Sequence, residues 1–205
     1  MKLYLWWWWN TQEIPTMKET ITTILKKEEI RNLLHIPFAG AGIRHRISGR
    51  CMPKEFKPFI EEFKIKYFDG QYKEEILEAP YETIYLNWGH YREFLFQNIQ
   101  KDEVLEKITK ANIIIGESSG SMILWEYFLN DQKSWFIKGL GLIKNTIIIP
   151  HYSTDRRQQE KLQQLLSEKQ TETWYQLLWI DETTFIEYED WKFGEIIWTG
   201  KVYYL

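Results

Sequence analysis

The chain has 205 residues, of which 44% are hydrophobic and 27% charged, so it can form one domain with a substantial core and is not disordered in composition. Its net charge of -3 points neither to nucleic acid nor to an anionic membrane as a partner. The only cysteine, Cys51, can form no internal disulfide and has no companion ligands for zinc. No apolar run has the length of a membrane span, and residues 3–9 are too few for a signal sequence, so we expect a cytoplasmic location.

Short apolar runs alternate with amphipathic stretches along the chain. Apolar or alternating runs typical of strands occupy residues 1–8, 30–38, 63–68, 80–86, 111–115 and 146–149. Helical patterns occupy residues 16–25, 53–63, 92–108 and 156–166, and residues 73–77 are a short helix or a turn. Pro58 indicates a break or a late start in the second helix. Residues 134–142 are predicted to be a loop. Short strands are expected at residues 177–180, 184–188, 196–199 and 201–204, the last three of them antiparallel.

This alternation predicts the fold class. It favours an α/β three-layer sandwich, in which a mostly parallel sheet is flanked by helices and a small antiparallel β unit finishes the chain. No repeat or low-complexity linker interrupts residues 1–205, so we expect a single domain.

Residues 111–128 (ANIIIGESSGSMILWEYF) contain the most informative motif. Residues 111–115 are predicted to form a buried strand and residues 122–128 a largely buried helix, with a G-x-S-x-G turn between them. This context is that of a nucleophile elbow, in which Ser118 is the nucleophile. Gly116 and Gly120 would let the strand and the helix approach closely while Ser118 occupies a strained, exposed turn. The motif is weak by itself, and a structural glycine turn is the alternative at this point.

A histidine and an acid with suitable positions follow this serine. His151 comes after a β-branched strand, so we expect it at the carboxyl end of a strand equivalent to the one before Ser118. The two residues could then meet over one edge of the same sheet, with His151 as general base. Asp131, on the loop after the predicted helix, would orient His151, whereas Glu126 would lie two turns down that helix and point away. A Ser–His pair without an acid is the alternative. His35 lies within an apolar run and is expected to be structural.

Acyl transfer also needs hydrogen-bond donors for the oxyanion. The backbone N–H of Ser119, directly after the nucleophile, is one candidate. The other is expected at a neighbouring strand-end turn, where Gly89 would let the backbone approach a substrate closely.

Taken in order, these residues resemble the peptidase E and cyanophycinase family of serine peptidases, which has the class I glutamine amidotransferase-like fold. The similar segments cover most of the chain. They are the first strand, Ile36-Pro37, Trp88-Gly89-His90 in place of a Gly-Gly-Asn turn, residues 116–121 in place of G-x-S-A-G-A, Asn130-Asp131, residues 139–142, Pro150-His151, Arg156 and Arg157, residues 181–183 and the final hairpin.

The resemblance implies a serine nucleophile, a histidine base and an acidic partner in that chain order, with no metal or cofactor. Peptidase E-type dipeptidases favour an N-terminal aspartate and cyanophycinases cut β-linked aspartyl-arginine, and nothing in the sequence selects between these substrates. The turn at residues 88–90 keeps only one glycine of the family pattern, and Ser119 replaces the usual alanine. His90, Arg156 and Arg157 are candidates for substrate contacts, with a solvated surface as the alternative for the two arginines.

The sequence therefore predicts a serine peptidase that hydrolyses small peptides through Ser118, His151 and Asp131, as a monomer or a homodimer. A serine esterase or other acyl hydrolase with the same residues is one alternative. A non-catalytic binding protein on the same fold is the other, favoured by the altered turn at residues 88–90 and by the aromatic content of 17%.

Overall fold

A computed structural model describes residues 1–7, 14–39, 57–80, 82–87, 89, 92–130, 135–150, 167, 176–180, 184–196 and 202–204. Within these ranges the chain forms twelve strands and six helices. The strands are β1 Lys2–Trp7, β2 Asn32–Ile36, β3 Lys66–Asp69, β4 Thr83–Leu86, β5 Ile113–Glu117, β6 Trp125–Asn130, β7 Trp135–Lys138, β8 Ile143–Pro150, β9 Gln176–Ile180, β10 Thr184–Glu189, β11 Lys192–Ile196 and β12 Val202–Tyr204. The helices are α1 Ile14–Lys27, α2 Lys57–Glu62, α3 Lys73–Glu78, α4 Arg92–Ile99, α5 Asp102–Thr109 and α6 Ser119–Met122.

Seven strands form a large sheet in the order β11-β10-β1-β5-β4-β2-β3. The five strands from β1 to β3 in this order are parallel to one another, and β10 and β11 add an antiparallel edge. The carboxyl ends of β1, β5, β4 and β2 therefore lie at the same edge of the sheet. Ligand sites of open α/β sheets are found at this edge.

The remaining strands form a second sheet in the order β12-β9-β8-β6-β7. Its three central strands, β9, β8 and β6, are parallel, whereas β7 and β12 pair antiparallel at the two edges.

Two hydrophobic clusters cover the two faces of the large sheet. One face packs on α1 and α2 through Ile21, Ile24, Leu25, Phe59 and Ile60. The other face packs on α3, α4 and α5 and shares its core with the second sheet, which contributes Trp125, Phe128, Ile143, Ile148, Leu178 and Ile180. The layers are thus helices, sheet, and helices together with the second sheet, which confirms the predicted α/β three-layer class.

The sequence predicts a helix at residues 122–128, but the structure has no helix beyond Met122 in this run. Helix α6 ends at Met122, and Trp125–Asn130 is strand β6. Strand β6 lies between β8 and β7, and Trp125 and Phe128 are buried. A central strand covered in this way can be apolar at nearly every position, so a short apolar run fits it as well as it fits a buried helix.

Three other element predictions also need correction. Residues 135–138 of the predicted loop form edge strand β7, which pairs with β6. The strand expected at residues 63–68 occupies Lys66–Asp69. Of the strand expected at residues 196–199 only Ile196 is described, as the last residue of β11, and residues 197–199 lie outside the described residues. Strand β12 is antiparallel to β9 in the second sheet, so the last three strands do not form one unit. The predicted helix at residues 156–166 lies outside the described residues.

No helix among the described residues combines the length and the apolar character needed to cross a membrane.

Candidate active site

Ser118 follows the carboxyl end of β5 and precedes α6, in the strand–turn–helix arrangement that the motif predicted. Its backbone has φ 48° and ψ -108°, a conformation that residues with a side chain rarely adopt. The backbone N–H of Ser118 donates to the carbonyl of Trp6 at 2.8 Å, and its own carbonyl accepts from the N–H of Met122 at 2.9 Å. The turn is therefore held from both sides in a strained conformation, which is how a nucleophile elbow presents its serine.

The two glycines of the motif are required by close backbone contacts. A Cβ at Gly116 would lie 2.9 Å from both the Cα and the backbone nitrogen of Ser121. A Cβ at Gly120 would overlap with the carbonyl group of Leu86, at the end of β4. Both glycines therefore allow α6 to pack directly on the ends of β5 and β4, which confirms the steric role expected for them.

The hydroxyl of Ser121 fastens the elbow to two strands. It donates to the carbonyl of Gly116 in β5 at 2.5 Å and accepts from the backbone N–H of Trp6 in β1 at 3.1 Å. Ser121 is fully buried. Because a buried hydroxyl with both partners stabilises the geometry around it, the position of α6 relative to β1 and β5 is well determined.

Gly89 lies next to α6, and the contact runs through the side chain of Ser119. The hydroxyl of Ser119 donates to the carbonyl oxygen of Gly89 at 2.5 Å, and Ser119 is only 3% exposed. Gly89 has φ 155°, a backbone angle that other residues rarely adopt. The sequence predicts Gly89 and Ser119 separately as sources of oxyanion donors. The structure places these two residues in direct contact.

A buried carboxylate lies immediately before the nucleophile. Glu117 is 5% exposed, and its Oε2 accepts a hydrogen bond from the hydroxyl of Tyr85 in β4. Neither Glu117 nor Tyr85 is predicted from the sequence to belong to the site. Strand alternation is the available signal, because Gly116 faces the α6 side and the next side chain must face the opposite, covered side of the sheet.

His35 lies in the interior of the large sheet and is fully buried, as its apolar surroundings in the sequence suggested. Its Nδ1 is hydrogen-bonded to the hydroxyl of Tyr67 at 2.6 Å, and its ring lies 5.0 Å from that of Tyr85. Burial lowers the pKa of His35 to about 3, so the ring is neutral at pH 7. The 3.8 Å approach of Nδ1 to Asp69 is therefore not a charged pair.

The other predicted site residues, His151, Asp131, His90, Arg156 and Arg157, lie outside the described residues. Their neighbours in the chain are described. Strand β8 ends at Pro150, directly before His151, and β6 ends at Asn130, directly before Asp131.

The strands before Ser118 and His151 do not lie in the same sheet, contrary to the sequence-based expectation. Strand β5 is central in the large sheet and β8 is central in the second sheet. The packing of the two sheets through their shared core, rather than the edge of one sheet, therefore sets the relation between these two strand ends.

Glu126 also differs from its predicted position. It lies in strand β6 rather than on a helix, and its Oε2 accepts a hydrogen bond from the backbone N–H of Asn145 in β8 at 2.8 Å. Its carboxylate is thus used within the second sheet.

The fold is of the α/β class, and its strained strand–turn–helix at Ser118 has the form of a nucleophile elbow. The model of peptidase family S51 matches residues 9–196, most of the chain. The chain therefore belongs to peptidase family S51 and is a serine-type peptidase.

Solved structures of two peptidases share the fold. A peptidase from an acI-B1 Actinobacterium is 16% identical, with a TM-score of 0.65 over 98% of this chain and 88% of that one. A putative peptidase E protein from Listeria monocytogenes EGD-e is 17% identical, with a TM-score of 0.59 over 96% of this chain and 98% of that one. None of the curated proteins matches this chain significantly.

Proposed function

We propose that this peptidase is dipeptidase E-like and hydrolyses small peptides, aspartyl peptides among them, through an acyl-enzyme formed on Ser118. The observation that carries the proposal is the backbone of Ser118, held at φ 48° between Trp6 and Met122. A folded protein retains such a conformation only where its surroundings enforce it, and strained residues of this kind cluster at active sites. The partly exposed position of Ser118 leaves it accessible to a substrate.

In the proposed mechanism the Oγ of Ser118 attacks the carbonyl carbon of the scissile peptide bond while His151 takes its proton. His151 then returns the proton to the leaving amine, and Asp131 orients the imidazole. Water attacks the acyl-enzyme with His151 again as the base, which releases the acid product and regenerates Ser118. The backbone N–H groups of Ser119 and Gly89 are proposed to stabilise the oxyanion in both steps.

The nucleophile is tested by intact-mass measurement after reaction with a fluorophosphonate probe, in which the serine oxygen displaces fluoride from phosphorus. We expect one adduct on the wild-type protein and none on Ser118→Ala. Absence of an adduct from folded wild-type protein would contradict the assignment of Ser118.

The base and the acid are tested by the rate of the same reaction. We expect His151→Ala to slow labelling at least a hundredfold, because general base catalysis contributes about 10²–10⁴. Asp131→Asn should also slow it strongly, whereas Glu126→Gln is a matched control because Glu126 bonds Asn145 within the second sheet. If the labelling rate of Asp131→Asn equals that of the wild-type protein, the assignment of Asp131 as the partner of His151 is wrong.

The substrate class is tested with a library of di- and tripeptides beside a panel of small esters. Cleavage of peptides, with a preference among their N-terminal residues, would support the peptidase proposal and define its specificity. Turnover of esters alone would favour an esterase that uses the same residues. His90→Ala and the double variant Arg156→Ala/Arg157→Ala should raise KM for the preferred peptide if these side chains bind it.

A further inference from the structure

We infer that the hydroxyl of Ser119 is a positioning group, which holds the turn at Gly89 where its backbone N–H can serve the oxyanion. This inference rests on the proposed function, because it assigns a task to a side chain within the proposed oxyanion site. The backbone N–H of Ser119 was already a candidate donor, but its side chain had no role.

The contact itself is close and partly buried. The Oγ of Ser119 lies 2.5 Å from the carbonyl oxygen of Gly89, within ordinary O–H···O hydrogen-bond distance, and Ser119 is 3% exposed. A hydrogen bond that is partly shielded from water exchanges less readily with solvent partners, so it restrains both groups more than a fully exposed one would.

The bond joins helix α6 to the segment that follows β4. Ser119 belongs to α6, which is fastened through Gly116, Gly120 and Ser121 to strands β1, β5 and β4. Gly89 instead lies in the turn after β4, and its φ of 155° belongs to a residue without a side chain. Because glycine allows more backbone conformations than other residues, the bond from α6 restrains Gly89, and the hydroxyl of Ser119 is the link between them.

Such a link has a direct consequence for catalysis. Oxyanion donors lower the barrier only if they already lie 2.7–3.1 Å from the developing charge, roughly the spacing of a good hydrogen bond. Without the hydroxyl, the N–H of Gly89 would have to be ordered in every catalytic cycle, while the N–H of Ser119 would keep its place on α6. Removal of the hydroxyl should therefore weaken the oxyanion site without abolishing it.

The test uses the full chain and compares Ser119→Ala with the wild-type protein in two measurements. The first is the second-order rate constant for labelling of Ser118 by a fluorophosphonate probe, whose phosphoryl oxygen occupies the oxyanion position. We expect about a tenfold decrease, because loosening a donor costs less than the roughly 10²–10³ lost when a donor is deleted. The second is amide hydrogen exchange at Gly89 by NMR, which should become faster.

Two further variants separate positioning from general destabilisation. Ser119→Thr keeps the hydroxyl and should restore most of the labelling rate. Tyr67→Phe removes a hydroxyl of edge strand β3 that is hydrogen-bonded to Nδ1 of His35, outside α6 and Gly89, so it should lower the melting temperature without changing exchange at Gly89.

The outcomes separate the inference from the proposed function. If folded Ser119→Ala matches the wild-type protein in labelling rate and in Gly89 exchange, the positioning role is wrong. If Gly89 exchanges faster but labelling is unchanged, the link exists and the catalytic task assigned to it is wrong. If the wild-type protein is not labelled at Ser118 at all, the proposed function fails, and the catalytic role of the link fails with it, whatever the exchange measurement shows.

Discussion

Gly120 packs against the backbone of Leu86, so that a Cβ at position 120 would lie only 2.6 Å from the carbonyl carbon of Leu86. This contact joins the helix after the nucleophile to the end of the neighbouring strand, and the obstacle is backbone, which cannot move aside as a flexible side chain can. The last glycine of the G-x-S-x-G motif is therefore a packing requirement between α6 and β4.

Gly120→Ala should displace α6 from β4. We expect it to lower the free energy of unfolding by about 3 kcal/mol, at the upper end of the usual cost of overpacking, and to reduce fluorophosphonate labelling of Ser118. Gly194→Ala is the matched control, because a Cβ there would meet its nearest neighbours at an ordinary 3.5 Å. Urea unfolding measures both variants, and a Gly120→Ala protein as stable and as reactive as the wild type would refute the packing argument.

Replacement of Ser118 should separate stability from activity. Ser118→Gly and Ser118→Ala both lack the nucleophile, so neither should be labelled. Glycine tolerates the backbone at φ 48° and ψ -108° whereas alanine does not, so Ser118→Gly should be more stable than Ser118→Ala by about 1–3 kcal/mol. Denaturant unfolding measures this difference in the free energy of unfolding, provided that the two variants have the same m-value. Equal stability of the two variants would mean that the elbow is not strained.

Tyr85 and Glu117 should be energetically coupled through their hydrogen bond. Tyr85→Phe leaves a buried carboxylate without this donor, so we expect a loss of about 1–3 kcal/mol in the free energy of unfolding. In a double-mutant cycle with Glu117→Gln, the double variant should lose less than the sum of the single losses. Strict additivity would show that the contact contributes nothing.

His35 should make the protein less stable in acid. Its pKa is about 3 in the folded protein because of burial, against about 6.5 in an unfolded chain. Between these values the unfolded chain binds one more proton than the folded protein at this site. The contribution of His35 to the free energy of unfolding is thus fully present above pH 6.5. It falls as the pH drops toward 3, by up to about 1.4 kcal/mol per pH unit.

His35→Gln removes this contribution, so its stability should fall less steeply between pH 6.5 and 4.5 than that of the wild-type protein. Burial raises the pKa of the neighbouring Asp69, which opposes the effect, because a raised carboxyl pKa favours the folded state as the pH falls. The comparison is therefore repeated in an Asp69→Asn background, where Asp69 cannot titrate. The prediction would be contradicted if Asp69→Asn and the double variant His35→Gln/Asp69→Asn lost the same free energy of unfolding as the pH falls.

Several features could be read from the sequence because they depend on local pattern. Runs of β-branched and apolar residues located most of the strands, and the G-x-S-x-G motif located the turn at Ser118 together with the steric need for its two glycines. The order of motifs along the chain was enough to indicate the family. The chemistry of these segments is encoded within a few neighbouring residues, so no distant contact was needed to recognise them.

Other features depended on which segments meet in space. Residues 125–130 are a strand because β7 and β8 flank them. A short apolar run does not show which segments will lie beside it, so the sequence could not distinguish this strand from a buried helix. The division of β5 and β8 between two sheets was hidden for the same reason, since a parallel strand has the same pattern in either sheet. The contacts of Ser119 with Gly89 and of Tyr85 with Glu117 join residues about thirty positions apart. Sequence alone determined the nucleophile turn and its family, whereas tertiary packing decided which side chains surround that turn, because hydrogen bonds between distant segments form only once the sheets have assembled.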